Sequence, residues 1–522
     1  MALERCCIAG LLLISALTIA GILPLFIALD RTPIPWMDEV LWASTSLSVM
    51  NGQAAKPSVL DAFPGTGRFD LFYGPVGIYL GAWWMEFVGV SAWNWRMLSF
   101  AGGVSIVVLT ALLVRAVGGS HVLAATAACL VGFSTSMGSS INSGRLDTIS
   151  ITFELAALLL LVLAMQQPLS RAWLYSAVAG IAVAAAALST PRALTFCLGL
   201  VAGALALLIL GFRKRVLDSF LPAALITGAA VWLWTHYLGL SPITWLQYLG
   251  RVSKGDRANV SPVLGGSWGS REGLYLPELA APVLFALLAI CLCRIWTNEH
   301  GNGLQIRQRI GLVFVLIVGL ANMLLSIALL SRVLNYQLFF IVPALIGLLV
   351  LSAVLLESTN LTNTRRLVIG SWLVFAVLAI GLRAAKIAEF SLSWPGRNPT
   401  RILAFVKDHV PPKSTVLGSE PCYFWAVQES GSRYLWIQEK TTPGLHSQSM
   451  FNIDKLFMQP GGDRVYLVWK HDSAMPPELS VPAFRRMASF ETSNSRSDFF
   501  TKLRNRIGGG YPRTDIYELN RP

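Results

Sequence analysis

The chain has 522 residues, of which 54% are hydrophobic and only 13% carry a charge. Soluble domains carry roughly 25% charged residues, so this composition argues against a soluble globular protein and predicts an integral membrane protein. The net charge of +13 does not indicate a nucleic-acid partner, because Lys and Arg placed at the ends of membrane spans, next to anionic lipid, produce the same excess.

Apolar runs recur along the first three quarters of the sequence. About 20 apolar residues cross a hydrocarbon core of about 30 Å. The first run, 6–29, is followed by Asp30 and Arg31 without a small-residue cleavage site, which is typical of an uncleaved signal anchor. The predicted fold class is a polytopic all-α membrane protein with about eleven transmembrane helices: 6–29, 96–117, 121–140, 147–166, 172–189, 194–211, 217–238, 276–296, 310–330, 333–356 and 367–385.

The segment 72–90 decides the topology. It is long enough to cross a bilayer, but Gly74 and Pro75 interrupt its start, and it is rich in Trp and Tyr, which prefer the membrane interface. We therefore predict a first outer loop, 30–95, that carries interfacial helices. With the N-terminus in the cytoplasm, this arrangement places three basic clusters on the cytoplasmic side, as the positive-inside rule requires: 213–215, 307–309 and 365–366. The predicted location is the inner membrane, with the outer loops in the periplasm.

Charge returns near residue 391, so the predicted domains are a transmembrane domain, 1–390, and an extracytoplasmic soluble domain, 391–522. The stretch "TRILAFVKDHV" has a helical pattern, whereas "STVLGS" and "DRVYLVWK" are typical of strands, which predicts an α/β domain. This domain contains no recognisable catalytic motif. We expect it to recognise an acceptor or to brace the outer face.

Cysteine and histidine usage predicts no cofactor. Six of the seven cysteines lie in or beside apolar runs, and the histidines of the soluble domain lack the spacing of metal ligands. Neither a disulfide framework nor a zinc site is implied, although a divalent metal stays an open alternative.

Charged residues near the outer ends of the predicted spans are candidate site residues. Such charges are costly unless they are paired or used. Each also has a simpler interpretation: Asp38 and Glu39 follow Pro35 and suit the positive end of a helix dipole, as does Asp147 at the start of a span. Further along the chain, Arg192 and Arg332 have stems long enough to snorkel to the interface, and Glu154 lies within a span. The loop 239–275, with Arg257, is either a solvated linker or a lid.

The order of these features resembles that of the polytopic glycosyltransferases of the GT-C superfamily. A first span is followed by the carboxylate pair, by the aromatic segment "FYGPVGIYLGAWWMEFVG" and by "SAWNWRMLS"; later come "GRLDTISITFELAALLLL", "LSTPRAL" and "SRVLNYQLFFIVPALIGLLVL". The resemblance covers roughly residues 1–385. It is strongest to the branch of the protein O-mannosyltransferases and the lipid A aminoarabinose transferase.

The resemblance implies roles for individual residues. Asp38 is expected to be the catalytic base, with Glu39 a secondary or structural neighbour, and Arg145 and Asp147 are expected to line the same cavity. Arg192 and Arg332 are expected near the donor phosphate. Arg257, in the loop 239–275, and Tyr73 are further candidates for contact with substrate or phosphate. Two motifs differ from those common in the family: Thr-Pro-Arg replaces Lys-Gly-Pro, and Leu-Asn-Tyr at 334–336, shortly after Arg332, stands where many relatives have Arg-Tyr-Tyr-like runs.

The predicted function is inverting transfer of a sugar from a polyprenyl-phosphate donor to an extracytoplasmic lipid, glycan or protein. A carboxylate takes the proton of the acceptor hydroxyl, and cations stabilise the departing phosphate. The alternatives are a transporter or flippase, for which we expect paired discontinuous helices in two matching halves, an O-antigen polymerase or ligase-like enzyme, and a non-catalytic scaffold.

Overall fold

The computed structural model describes residues 2–31, 34–61, 73–247, 306–330, 394–437, 464–471, 484–490 and 511–519, with single positions between 366 and 391. The chain forms two compact units. The first contains Met1–Phe26, Ser99–Ile141 and Leu146–Lys386, and the second contains Ile27–Leu98, Asn142–Arg145 and Ile387–Pro522. Residues 30–95 and the C-terminal domain therefore belong to the same unit.

Helices dominate the described residues up to 330. In chain order they are α1 (Ala2–Ile27), α2 (Met37–Met50), α3 (Pro75–Val88), α4 (Ala92–Ala116), α5 (His121–Phe133), α6 (Thr135–Asn142), α7 (Asp147–Gln166), α8 (Leu169–Ala187), α9 (Leu194–Ile209), α10 (Arg213–Tyr237) and α11 (Ile306–Leu330). The C-terminal domain adds α12 (Pro399–His409), α13 (Phe424–Glu429), β1 (Thr415–Gly418), β2 (Arg433–Trp436), β3 (Val465–Lys470), β4 (Phe484–Phe490) and β5 (Thr514–Leu519).

Five helical segments of the described residues are long and apolar enough to cross a membrane: Ala92–Ala116, Asp147–Gln166, Leu169–Ala187, Pro191–Ile209 and Arg213–Tyr237. The chain is thus a multi-pass membrane protein. The predicted spans 276–296 and 333–356 lie outside the described residues, and 367–385 is described only in part, so the number of about eleven spans stays a prediction.

The run predicted as one span over 121–140 is two helices. Ser134 ends α5 in an extended conformation, and its hydroxyl accepts a hydrogen bond from the backbone N–H of Met137 at 3.2 Å. A serine that caps a helix start in this way favours a new helix over continuation of the old one. The apolar composition of this stretch did not reveal the break.

Small residues bring α8 and α10 close together in the first unit. A Cβ placed on Gly180 would lie 2.7 Å from the backbone oxygen of Ala223, so a larger residue at Gly180 would force the helices apart. Ser176 also bridges the helices, since its hydroxyl accepts from the backbone N–H of Ala223 at 3.1 Å and donates to the carbonyl of Ser219. Close backbone approach and interhelical hydrogen bonds are the usual means of holding helices together in lipid.

The segment 72–90 forms α3, which has 14 residues. At 1.5 Å per residue such a helix is about 21 Å long, which is shorter than a hydrocarbon core of about 30 Å. It packs against α2, where the Ser46 hydroxyl donates to the carbonyl of Ile78 at 2.9 Å. The interfacial placement of this segment stays a prediction.

In the described residues of the C-terminal domain, five strands form one sheet of order β2-β1-β3-β5-β4. Strands β2, β1 and β3 are parallel, and β5 runs antiparallel to both β3 and β4. All four residues of β1 are buried, as expected for a parallel strand covered on both faces. The α/β prediction for this domain is confirmed.

Because residues 30–95 and the C-terminal domain belong to one unit, we expect both to be reached from the same side of the membrane. Gln53 and Lys413 are exposed, and single cysteines at these positions, in a background without native cysteines, should both react with an impermeant thiol reagent added from outside. A cysteine at the exposed Lys214, in a predicted cytoplasmic cluster, is the matched control and should react only after the membrane is permeabilised. Reaction of Gln53→Cys without reaction of Lys413→Cys in intact cells would contradict the topology.

Candidate active site

The two adjacent carboxylates lie in the first turn of α2. Trp36 precedes the helix in an extended conformation, and its carbonyl accepts from the backbone N–H of Val40 at 3.1 Å. Successive side chains on an α-helix point about 100° apart, so Asp38 and Glu39 enter different surroundings. The two carboxylates therefore make different contacts.

Glu39 is fully buried, and both of its carboxylate oxygens are bound. Arg96, near the start of α4, donates from Nε to Oε1 at 2.9 Å and from a terminal nitrogen to Oε2 at 2.7 Å. The indole N–H of Trp425 donates to Oε1 at 3.1 Å. Burial raises the pKa of the Glu39 carboxyl, and the Arg96 guanidinium and the hydrogen bonds from Trp425 and the Trp36 backbone offset part of that rise. These contacts support a structural role for Glu39.

Asp38 is 19% exposed and forms an ion pair with Arg145, whose guanidinium donates to Oδ2 at 2.9 Å. Among the described residues, no hydrogen bond reaches the second oxygen, Oδ1. Asp38 is therefore the carboxylate of the pair that a substrate hydroxyl can approach. The structure brings together two of the predicted site residues, Asp38 and Arg145, which are far apart in sequence.

Aromatic side chains fix the position of Arg145. Its guanidinium carbon lies 5.3 Å from the ring centroids of both Trp36 and Trp42, within the range of cation–π attraction. The turn before Arg145 is anchored as well, because the Trp36 indole donates to the carbonyl of Ser143 at 2.9 Å. Tyr73, another predicted site residue, contacts the edge of Trp42 with ring centroids 5.0 Å apart.

Gly144 is required by this turn. Its φ of +64° lies in the left-handed region that favours glycine, and a Cβ here would lie 2.9 Å from the Trp95 ring and 3.0 Å from Cγ of Glu39. The Gly144 carbonyl also accepts from the Trp95 indole at 2.9 Å. Only glycine allows the chain to pass this close to Glu39.

A second ion pair lies in the first unit. Asp147 begins α7, and Arg192 sits in the 3-10 turn Pro191–Ala193 that precedes α9. The Arg192 guanidinium donates to Oδ1 of Asp147 at 3.1 Å, and both side chains are buried. Arg192 is therefore a buried, paired cation at a helix junction, which argues against simple snorkelling.

Glu154 lies two turns along α7 from Asp147 and is fully buried. Its Oε1 accepts from the Ser150 hydroxyl at 3.5 Å, and its Oε2 has no hydrogen-bond partner among the described residues. The two acids lie on the same helix, and a spacing of seven residues places them on the same face of it.

Two predicted site residues, Arg332 and Arg257, lie outside the described residues, as does most of the loop 239–275. Within the described part of the chain, no group of three or more His, Cys, Asp and Glu side chains could hold a metal ion. A divalent metal stays an open question for the predicted reaction.

Sequence reasoning missed Arg96 and the tryptophans around the carboxylates. The sequence did point to a partner for Arg96, because an arginine at the start of an apolar span is costly unless it is paired. Trp425 lies 386 residues from its partner Glu39, and no local pattern could have linked the two.

Solved structures share this architecture. No protein-family model matches the sequence, and no curated protein matches it at a significant level. The structure of ArnT from Cupriavidus metallidurans bound to undecaprenyl phosphate superposes with a TM-score of 0.59 at 14% identity, over 96% of this chain and 97% of that chain. The fold is that of the GT-C membrane glycosyltransferases. The apo state of the same ArnT gives a TM-score of 0.57 at 14% identity, over 98% of each chain.

A second protein with the GT-C fold also matches. The archaeal oligosaccharyltransferase AglB from Archaeoglobus fulgidus, in complex with an inhibitory peptide and a dolichol-phosphate, gives a TM-score of 0.50 at 16% identity. The match covers 88% of this chain and 69% of that chain. The GT-C fold predicted from the order of charged and aromatic motifs is confirmed.

The buried Glu39–Arg96 pair predicts that loss of Arg96 lowers the free energy of unfolding more than loss of the exposed Arg433 does. Arg96→Ala leaves the Glu39 carboxylate buried without its charge partner, and this should lower the free energy of unfolding by about 3–5 kcal/mol. The matched control is Arg433→Ala, because Arg433 and Asp61 form a 2.7 Å ion pair with side chains 40% and 41% exposed, and such pairs contribute at most about 1 kcal/mol. Unfolding of the purified variants can be followed by tryptophan fluorescence. Equal losses for the two variants would contradict the structural role of Glu39.

Proposed function

We propose that the chain is an inverting glycosyltransferase that moves a sugar from a polyprenyl-phosphate donor to an extracytoplasmic acceptor. The observation that carries the proposal is the different surroundings of the two acids at the start of α2: both oxygens of the buried Glu39 are bound by Arg96, whereas the Asp38 carboxylate is held by Arg145 and stays partly exposed. A fixed, accessible carboxylate is what a general base requires.

In the proposed reaction, Asp38 accepts the proton of an acceptor hydroxyl while the hydroxyl oxygen attacks C1 of the donor sugar. The new C1–O bond forms on the face opposite the breaking bond to phosphate, so the anomeric configuration inverts. The polyprenyl phosphate leaves with the electron pair of the broken bond, and the proton on Asp38 then passes to solvent. Arg145 contributes by holding the carboxylate in one orientation, which avoids an entropic cost in the transition state.

The leaving phosphate needs positive charge. Arg192 is a buried guanidinium beside Asp147, and guanidinium groups bind phosphate oxygens through charge-assisted hydrogen bonds. We assign the donor phosphate to Arg192, together with Arg332 and Arg257. Tyr73, held against Trp42, is assigned to the substrate.

The relatives in fold support this class of donor. The matched ArnT structure contains undecaprenyl phosphate, and the matched AglB structure contains a dolichol-phosphate and a peptide. By analogy, the proposed donor here is a polyprenyl-phosphate sugar, and the acceptor is an envelope glycolipid, glycan or protein. The proposed setting is the inner membrane, with Asp38 facing the periplasm.

Asp38→Asn should lower turnover by about 10²–10⁴-fold, because the amide keeps the shape of the side chain but cannot accept the proton. The matched control is Asp61→Asn, which alters an exposed carboxylate of the same loop and should leave turnover near that of the wild type. Transfer of labelled sugar by protein reconstituted in bilayers measures both. Near-normal turnover by Asp38→Asn would exclude Asp38 as the base.

The double variant Asp147→Asn/Arg192→Gln separates phosphate binding from ion pairing, since it removes both charges of the pair at once. Loss of a charge-assisted phosphate contact costs about 1.5–3 kcal/mol, so binding of undecaprenyl phosphate should weaken by about ten- to a hundredfold. The control is Arg171→Gln, at an exposed arginine near the start of α8. If the double variant binds undecaprenyl phosphate as tightly as the wild type does, Arg192 serves only as the partner of Asp147.

A further inference from the structure

The C-terminal domain supplies a buried hydrogen bond to the residue next to the proposed base. Trp425, the second residue of α13, donates from its indole N–H to Oε1 of Glu39 at 3.1 Å. Trp425 is 3% exposed and Glu39 is fully buried. The contact therefore forms in a dry environment, where a hydrogen bond to a charged group is stronger than at the surface.

The domain holds Trp425 firmly in this position. Its neighbour Phe424 packs edge-on against the Trp425 ring, with centroids 4.9 Å apart, and also lies 6.2 Å from the ring of Tyr434 in β2. The hydroxyl of Tyr423 forms a 2.9 Å hydrogen bond with Thr514 of β5. The indole of Trp425 is thus fixed to the sheet rather than carried on a loose loop.

Other contacts between the C-terminal domain and residues 30–95 are more exposed in the part of the chain that the structure describes, and one of them is the hydrogen bond from the Ala92 backbone N–H to the half-buried Glu429 carboxyl. Arg433 pairs with Asp61 through side chains about 40% exposed, and the Arg31 guanidinium lies 4.1 Å from the ring centroid of Trp394. Exposed pairs of this kind contribute little. The Trp425–Glu39 contact, by comparison, is buried on both sides.

Fixing Glu39 also fixes Asp38. The two residues are consecutive in one helical turn, so any rotation of the start of α2 that frees Glu39 from Arg96 and Trp425 also turns the Asp38 carboxylate away from Arg145. A displacement of about 1 Å of a catalytic group can cost about a hundredfold in rate. The orientation of the proposed base thus depends on a side chain from the C-terminal domain.

We propose that Trp425 is a positioning residue for sugar transfer, acting through Glu39 on the orientation of Asp38. This inference rests on the proposed function and assigns the C-terminal domain a part in the chemical step. It predicts that loss of the indole N–H lowers kcat and leaves donor binding intact, because Trp425 touches neither substrate nor phosphate in this account.

The test compares Trp425→Phe with Trp436→Phe. Trp436 is also buried in the C-terminal domain, but its indole donates to the Ser419 carbonyl at 3.2 Å within that domain. Both changes remove one indole hydrogen bond and leave a similar void. We expect kcat of Trp425→Phe to fall about ten- to a hundredfold, with the donor KM changed by less than about twofold, and Trp436→Phe to change both by less than about twofold.

Arg96→Lys provides a second variant that leaves the C-terminal domain intact, since a lysine cannot reproduce the bidentate contact with Glu39. It should also lower kcat, and the double variant Arg96→Lys/Trp425→Phe should lose less than the product of the two single effects, because both act through one carboxylate. If Trp425→Phe cannot be purified folded, a normal kcat for Arg96→Lys overturns the inference.

The outcomes separate this inference from the proposed function. A wild-type protein that transfers no sugar from any polyprenyl-phosphate donor overturns the proposed function. An active wild type with an unchanged kcat in Trp425→Phe, with an equal loss in Trp436→Phe, or with multiplicative effects in the double variant overturns only the positioning role.

Discussion

The buried ion pair between Glu39 and Arg96 is the interaction on which the rest of the second unit depends. It joins the start of α2 to the start of α4 through two short hydrogen bonds, and Trp425 adds a third bond from the C-terminal domain. Burying two charges is costly, and such pairs often add little net stability compared with apolar packing. Here the pair and Trp425 join three segments that are distant in sequence, α2, α4 and α13, around the Glu39 carboxylate. The pair's main effect is therefore to fix the positions of these segments.

Two adjacent acids acquire different chemistry from this arrangement. Glu39 points into a dry, fully occupied site, whereas Asp38 points toward Arg145 and keeps part of its surface accessible. The turn at Gly144 allows this, because the chain there passes within contact distance of both Trp95 and Glu39. One carboxylate thus holds the scaffold in place, and the other is available to accept a proton.

The sequence predicts the class of fold and the identity of the two acids, because apolar length and charge scarcity are local properties. It predicts an interfacial placement of 72–90 from Gly74 and Pro75, which stays a prediction; the structure shows that α3 has 14 residues. It does not predict the break at Ser134, which depends on a single hydroxyl. Contacts such as Arg145 with Asp38 and Trp425 with Glu39 join residues more than 100 positions apart. Only the folded chain reveals which acid is sealed and which is accessible.

The central claim is that this chain transfers a sugar from a polyprenyl-phosphate donor. Its most direct test is mass spectrometry of the lipid-linked sugars and envelope glycoconjugates of cells that contain or lack the protein. The account predicts that cells without it accumulate a polyprenyl-phosphate sugar and lose the mass of one sugar residue from an envelope lipid, glycan or protein. Unchanged masses in both fractions, or altered lipid-linked sugars with every acceptor intact, would contradict it.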